Sequence, residues 1–148
     1  MVLRGGCQCG GVRFEIDGPL MGVGNCHCGA CRTTQGAAFR TRARVRRNDF
    51  RWVAGKELVR SHQSSPGFHR GFCGQCGSPV VNWYSAEAEY SQRNPASLET
   101  YGIAVASLEG DPGVPAGVSR VRGVQGAVVR DYGWGLPQFA GYPVEGVV

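Results

Sequence analysis

Seven cysteines in a chain of 148 residues fall into three tight groups. Cys7-Gln-Cys9 is C-x-C, Cys26-His-Cys28-Gly-Ala-Cys31 is C-x-C-x-x-C, and Cys73-Gly-Gln-Cys76 is C-x-x-C. Such spacings let a tight turn aim both sulfurs at one ion, and Gly77 permits the positive φ usual after the second cysteine of such a turn. A disulfide framework would strand one thiol of seven, and in a reducing cytosol this pattern reads as metal ligation. Pairing the first group with the last supplies four thiolates for a closed structural zinc site, which ties residues 7–9 to residues 73–76 and contributes folding free energy directly. Cys26, Cys28 and Cys31 then stand as three thiolates without an obvious fourth partner. Catalytic zinc keeps three protein ligands and one open position. A rival grouping joins Cys7 and Cys9 to the central cluster instead. His27 sits between two cysteines that must point the same way, so in an extended chain its ring points to the other side. His62 and His69 read as surface or packed histidines.

Two zinc ions are therefore expected. Three thiolates leave a bound zinc at −1, a poorer acidifier of water than a zinc on neutral histidines, so a hydrolase is disfavoured. An incoming thiol suits the open position better, and cations help to hold the resulting anionic adduct. Arg32 directly follows the last central cysteine and Arg70 precedes the C-x-x-C turn, so both are candidate substrate-binding residues.

The chain is rich in turns, with 24 glycines and 8 prolines. Val12, Phe14 and Ile16 alternate with polar residues, the period of a half-buried strand. Further short strands are expected at 37–46, 50–53, 57–64, 68–73, 78–85, 101–108 and 118–129. One helical turn is expected near 31–35 and a weak helix at 87–93, stopped by Pro95, with an irregular tail from Trp134. The expectation is one mainly β domain over residues 1–148. The opening residues reach glycine and cysteine too soon for a signal peptide, and no run approaches the ~18 apolar residues of a membrane helix. A soluble cytoplasmic protein follows as the expectation, with no membrane partner.

The formal charge is +5. Seven thiolate charges set against the four of two zinc ions lower it to about +2, which is weak support for an anionic partner. Arg40, Arg42, Arg44 and Arg46 alternate along one expected strand. They read as an anion-binding groove or as a solvated face. Aromatics do not interleave with them as a single-strand binder requires, so no specific nucleic acid is expected. Trp52, Trp83 and Trp134 read as core or cavity wall, and Phe39 as core under the central cluster.

Three stretches together resemble a known family: the G-x-C-x-C-G-x-V-x-F pattern from Gly5 to Phe14, the central CHCGACR followed by Gly36-Ala-Ala-Phe39, and Arg70-Gly-Phe-Cys-Gly-Gln-Cys-Gly-Ser78. They are similar to the glutathione-dependent formaldehyde-activating enzyme family, to which centromere protein V is also similar. The resemblance implies an Mss4-like fold of coiled antiparallel β-sheets stapled by zinc. It implies Cys7, Cys9, Cys73 and Cys76 as structural ligands and Cys26, Cys28 and Cys31 as catalytic ones. The implied activity is that of a carbon–sulfur lyase acting on S-hydroxymethylglutathione, with glutathione and formaldehyde as partners. A glutathione carrier without turnover and a zinc-stapled interaction module are the competing classes.

Overall fold

The computed structural model describes residues 2–110 and, as backbone, 121–122 and 138–139. Two compact units divide them, one of residues 2–21 and 43–110, the other of residues 22–42 with the two short segments beyond. The described part is mainly β.

The first unit begins with β1 (Leu3–Gly6) and β2 (Arg13–Ile16), an antiparallel pair with Leu3 opposite Ile16 and Gly6 opposite Arg13. On its other side β2 pairs antiparallel with β5 (Phe50–Ala54), bringing Phe14 opposite Trp52 and Ile16 opposite Phe50. The alternation expected from the sequence is realised: Val12, Phe14 and Ile16 are at most 1% exposed. Phe14 stacks on Phe50 at 5.1 Å between centroids. A second set of strands follows as an antiparallel meander: β6 (Val59–Ser65), β7 (Phe68–Cys73), β8 (Pro79–Tyr84) and β9 (Thr100–Ala104). Its inward residues Val80, Val81 and Ile103 join Val12, Phe14, Ile16 and Val45 in one core that also contains Cys7 and Cys73. Full burial of an aliphatic or aromatic side chain stabilises by about 1.5–3 kcal/mol, so this cluster anchors the unit. α2 (Glu89–Arg93) forms where a weak helix was expected and ends before Pro95.

The second unit holds most of β3 (Met21–Cys26), α1 (Gly29–Gln35) and the start of β4 (Arg40–Arg46). Two short strands, β10 (Val121–Arg122) and β11 (Gln138–Phe139), add parallel pairs, with Val121 opposite Asn25 and Arg122 opposite Cys26. The rest of the strand expected at 118–129, and Trp134, lie outside the described residues.

The elements depart from the sequence reading in several places, one of them β11, which lies in the tail expected to be irregular. β1 and β3 were not expected, because LRGG and MGVGNC carry too much glycine to show a period of two. At Gly5 glycine is required for a different reason: a Cβ would meet the Phe14 ring at 2.5 Å and the Ser107 carbonyl at 2.6 Å, the close approach that strand glycines often mark. The strand expected at 101–108 stops at Ala104, where a 3-10 turn (Val105–Ser107) begins. That turn carries Leu108 to a bridge with Gly5 and lets Glu109 N donate to Arg4 O at 2.8 Å. Finally, Arg40 is not on a solvated face. It is 2% exposed, while Ala43 and Val45 are fully buried and Arg46 is outside. Arg40 and Ala43 are buried three residues apart, so strict alternation fails within β4. No described helix is long and apolar enough to cross a membrane.

Candidate metal centres

Both cysteine pairs of the first unit sit at hairpin turns. The β1–β2 turn carries Cys7 and Cys9. Cys7 N donates to Val12 O and Gly10 N to Cys7 O, each at 3.1 Å, and Gly10 takes φ +80°. The β7–β8 turn carries Cys73 and Cys76. Cys73 N donates to Ser78 O and Gly77 N to Cys73 O, each at 2.9 Å, and Gly77 takes φ +75°. Both turns thus need glycine in the left-handed region, where a side chain is disfavoured. Together they bring the four sulfurs within 4.8 Å of one another. Cys7 and Cys9 lie 3.4 Å apart, and Cys9 and Cys73 3.9 Å. The rival grouping of Cys7 and Cys9 with the central cysteines does not match this arrangement.

The chemistry of this donor set fits a dication. The Ser78 hydroxyl, followed by the backbone N–H groups of Cys9 and Ser78, pulls the Cys76 thiol down to about 5. Cys9 is pushed up to about 11, because the Gly11 N–H that favours its thiolate is outweighed by the neighbouring thiols of Cys7 and Cys76. Burial raises Cys7, but the Val12 N–H (3.2 Å from its sulfur) and neighbouring thiols bring it below its ordinary value. Four crowded thiols cannot all ionise on their own, and a bound cation removes that conflict.

The central group belongs to the second unit. Cys26 ends β3, and Cys28 is the N-cap of α1, its sulfur accepting from Cys31 N at 3.4 Å. The helix therefore turns Cys31 back toward Cys28, and Gly36 closes it with φ +62°. Cys26 and Cys28 sulfurs are 3.5 Å apart, and all three lie within 4.8 Å of one another. Among the described residues no fourth Cys, His, Asp or Glu joins them. The Cys26 thiol is pushed well above its ordinary value, first by its hydrogen bond with Cys31, then by burial. A neutral thiol is favoured there until a cation arrives, so this donor set also fits zinc.

His27 is 3% exposed, and its ring lies against Phe39 at 5.2 Å rather than among the sulfurs. Neither ring nitrogen has a hydrogen-bond partner, and burial, with help from Arg32, holds its pKa below the ordinary value. Arg32 lies on α1 with a buried Nε that has no hydrogen-bond partner. Gln35, one turn further on, buries an unpartnered Oε1. Sequence reasoning missed Gln35, although its i, i+4 spacing from Cys31 was a usable signal. Arg70 belongs to the first unit. It is 6% exposed, donates from Nε to Ser64 Oγ at 2.8 Å and lies over the Phe68 ring. His62 is exposed on β6, and His69 stacks on Trp83.

Residues 2–104 match the family model described as glutathione-dependent formaldehyde-activating enzyme. Among solved structures, the chain is similar to a crystal structure of a Rhodobacter sphaeroides protein. The two share 28% identity with a TM-score of 0.55, over 74% of this chain and 91% of that one. No curated protein matches the chain.

Proposed function

Because this chain belongs to the glutathione-dependent formaldehyde-activating enzyme family, we propose that it is a zinc-dependent carbon–sulfur lyase-type enzyme that makes or breaks a thiol–aldehyde adduct such as S-hydroxymethylglutathione. One observation carries this reading: the sulfurs of Cys26, Cys28 and Cys31 converge within 4.8 Å, and no fourth ligand joins them among the described residues. A closed staple would not leave that position open.

Cys26, Cys28 and Cys31 would hold the catalytic zinc, and Cys7, Cys9, Cys73 and Cys76 the structural one. When bound at the three-cysteine site, zinc supplies a Lewis acid that keeps an incoming thiol as its thiolate near neutral pH. The chain's own residues do the rest. The N-cap bond from Cys31 N would hold the Cys28 sulfur in place for the ion. Arg32, whose buried Nε lacks a partner, offers a charge-assisted donor to a carboxylate of glutathione or to the developing alkoxide. In the forming direction a carbon–sulfur bond is made to the carbonyl carbon, and the proton lost by the thiol ends on the former carbonyl oxygen. A cytoplasmic location suits reduced thiol ligands.

Exchange spectroscopy with ¹³C-formaldehyde and glutathione tests the proposal. Catalytic amounts of the zinc-loaded protein should accelerate interconversion of free and adduct formaldehyde over many turnovers, and Cys28→Ser should abolish the effect. Stoichiometric glutathione binding without any acceleration would identify a carrier and refute the enzymatic reading.

A further inference from the structure

The first unit contains a cavity of about 260 Å³ that uses none of the cysteines. Three of its lining residues are aromatic, Trp52, Trp83 and Tyr101, with Val81 among the aliphatic ones and Arg47 and Lys56 as its charges. The aromatic walls are braced from outside. Phe50 meets both Trp52 (4.8 Å, 80°) and Tyr101 (5.1 Å, 66°) edge to face, and His69 stacks on Trp83 at 5.2 Å and 7°. Such bracing holds the rings in place before any ligand arrives, which lowers the ordering cost of binding.

The charge is one-sided. No acidic residue lines the cavity. Neither Arg47 nor Lys56 takes part in the ion pairs Arg4–Glu15, Arg13–Glu109, Arg51–Glu15 and Arg93–Glu89. The Arg47 guanidinium lies over the Tyr101 ring at 4.7 Å, and its Nε is buried without a hydrogen-bond partner. A cation held on an aromatic face with an unmet donor is a ready partner for a carboxylate. The volume is below the ~300–1,000 Å³ of sites for drug-sized ligands, which favours one ring with a short acidic group over a nucleotide.

We propose that this cavity binds a small aromatic carboxylate, its ring among Trp52, Trp83 and Tyr101 and its carboxylate on Arg47 and Lys56. The site is additional to the thiol chemistry of the cysteines.

Calorimetric titration of the whole, zinc-loaded chain with benzoate, benzyl alcohol and cyclohexanecarboxylate tests it. Benzyl alcohol keeps the ring and loses the charge, while cyclohexanecarboxylate keeps the charge and loses the flat ring. Benzoate should saturate one site per chain and bind at least about tenfold more tightly than either analogue, the scale of one hydrogen bond to a charged group. Arg47→Gln should weaken benzoate by a similar factor. Lys56→Gln, at an exposed position, should weaken it by a smaller one and serves if the first variant fails to fold. No saturable benzoate binding, equal affinity for benzyl alcohol, or unchanged affinity in the folded variants would overturn the proposal. So would competitive displacement of benzoate by glutathione, which would put benzoate in the thiol site.

Discussion

Cys73→Ser and Cys28→Ser should fail in different ways. Cys73 is fully buried in the core, and its set joins segments 64 residues apart, as the Cys9–Cys73 contact records. In the chain-entropy model a cross-link over such a loop is worth about 4 kcal/mol, a large share of the ~5–15 kcal/mol that stabilises a typical domain. Serine is a poor zinc ligand near neutral pH, because its hydroxyl rarely ionises, and in the core it also buries a hydroxyl. Cys28 is half-buried, and its set spans only residues 26–31. By the same model that loop is worth about 2 kcal/mol at most. The substituted hydroxyl can also take over the N-cap of α1, where serine is strongly preferred and a good cap contributes about 1 kcal/mol. At roughly 2–4 °C per kcal/mol, Cys73→Ser should lose about 8–16 °C in Tm, or prove insoluble, while Cys28→Ser should lose no more than about 4 °C. Cys28→Ser should also lose about one zinc and its glutathione-binding enthalpy. Scanning calorimetry, elemental analysis and titration with glutathione on both variants give the comparison. A Cys28→Ser protein that melts below Cys73→Ser, or binds glutathione like the parent, would show that the two roles are reversed.

Elemental analysis of protein purified without added metal should give close to two zinc ions per chain. On acidification the three-cysteine site should release its zinc first, because three thiolates hold the ion less tightly than four against competing protons. Stepwise metal release followed with a chromogenic chelator reads this, and loss from the four-cysteine set first, identified with Cys28→Ser as reference, would contradict it. His27→Leu removes a ring whose two nitrogens are buried without partners, so it should leave zinc content unchanged and Tm equal or higher; loss of a zinc would make His27 a ligand. Gly55→Ala sets a side chain at φ +70° with its Cβ driven into the Gly11 carbonyl, whereas Gly22→Ala, at φ +55°, meets nothing within 4 Å. Gly22→Ala should cost about 1–2 kcal/mol, the left-handed penalty alone, and Gly55→Ala clearly more; equal melting temperatures would refute the steric reasoning.

Much of this protein could be read from its sequence, for physical reasons that differ by element. The strand of Val12, Phe14 and Ile16 is legible because a pleated backbone alternates its side chains, whatever packs against them. The cysteine turns are legible because one- and two-residue spacings with a following glycine are local geometry. Tertiary structure decided what depends on distant partners. It brought Cys7 and Cys9 to Cys73 and Cys76, as expected, and set aside the rival grouping with the central cluster that the spacings left open. It made strands of the glycine-rich LRGG and MGVGNC segments, where backbone pairing replaces side-chain pattern and, at Gly5, the Phe14 ring approaches. It buried Arg40 while leaving Arg46 outside, although the two look alike in sequence. It also assembled Arg47, Trp52, Trp83 and Tyr101 around one cavity from strands and turns far apart along the chain. Periodicity and turn chemistry act over a few residues and are written in order along the chain, whereas burial and the sharing of an ion are properties of side chains that meet only once the backbone has folded.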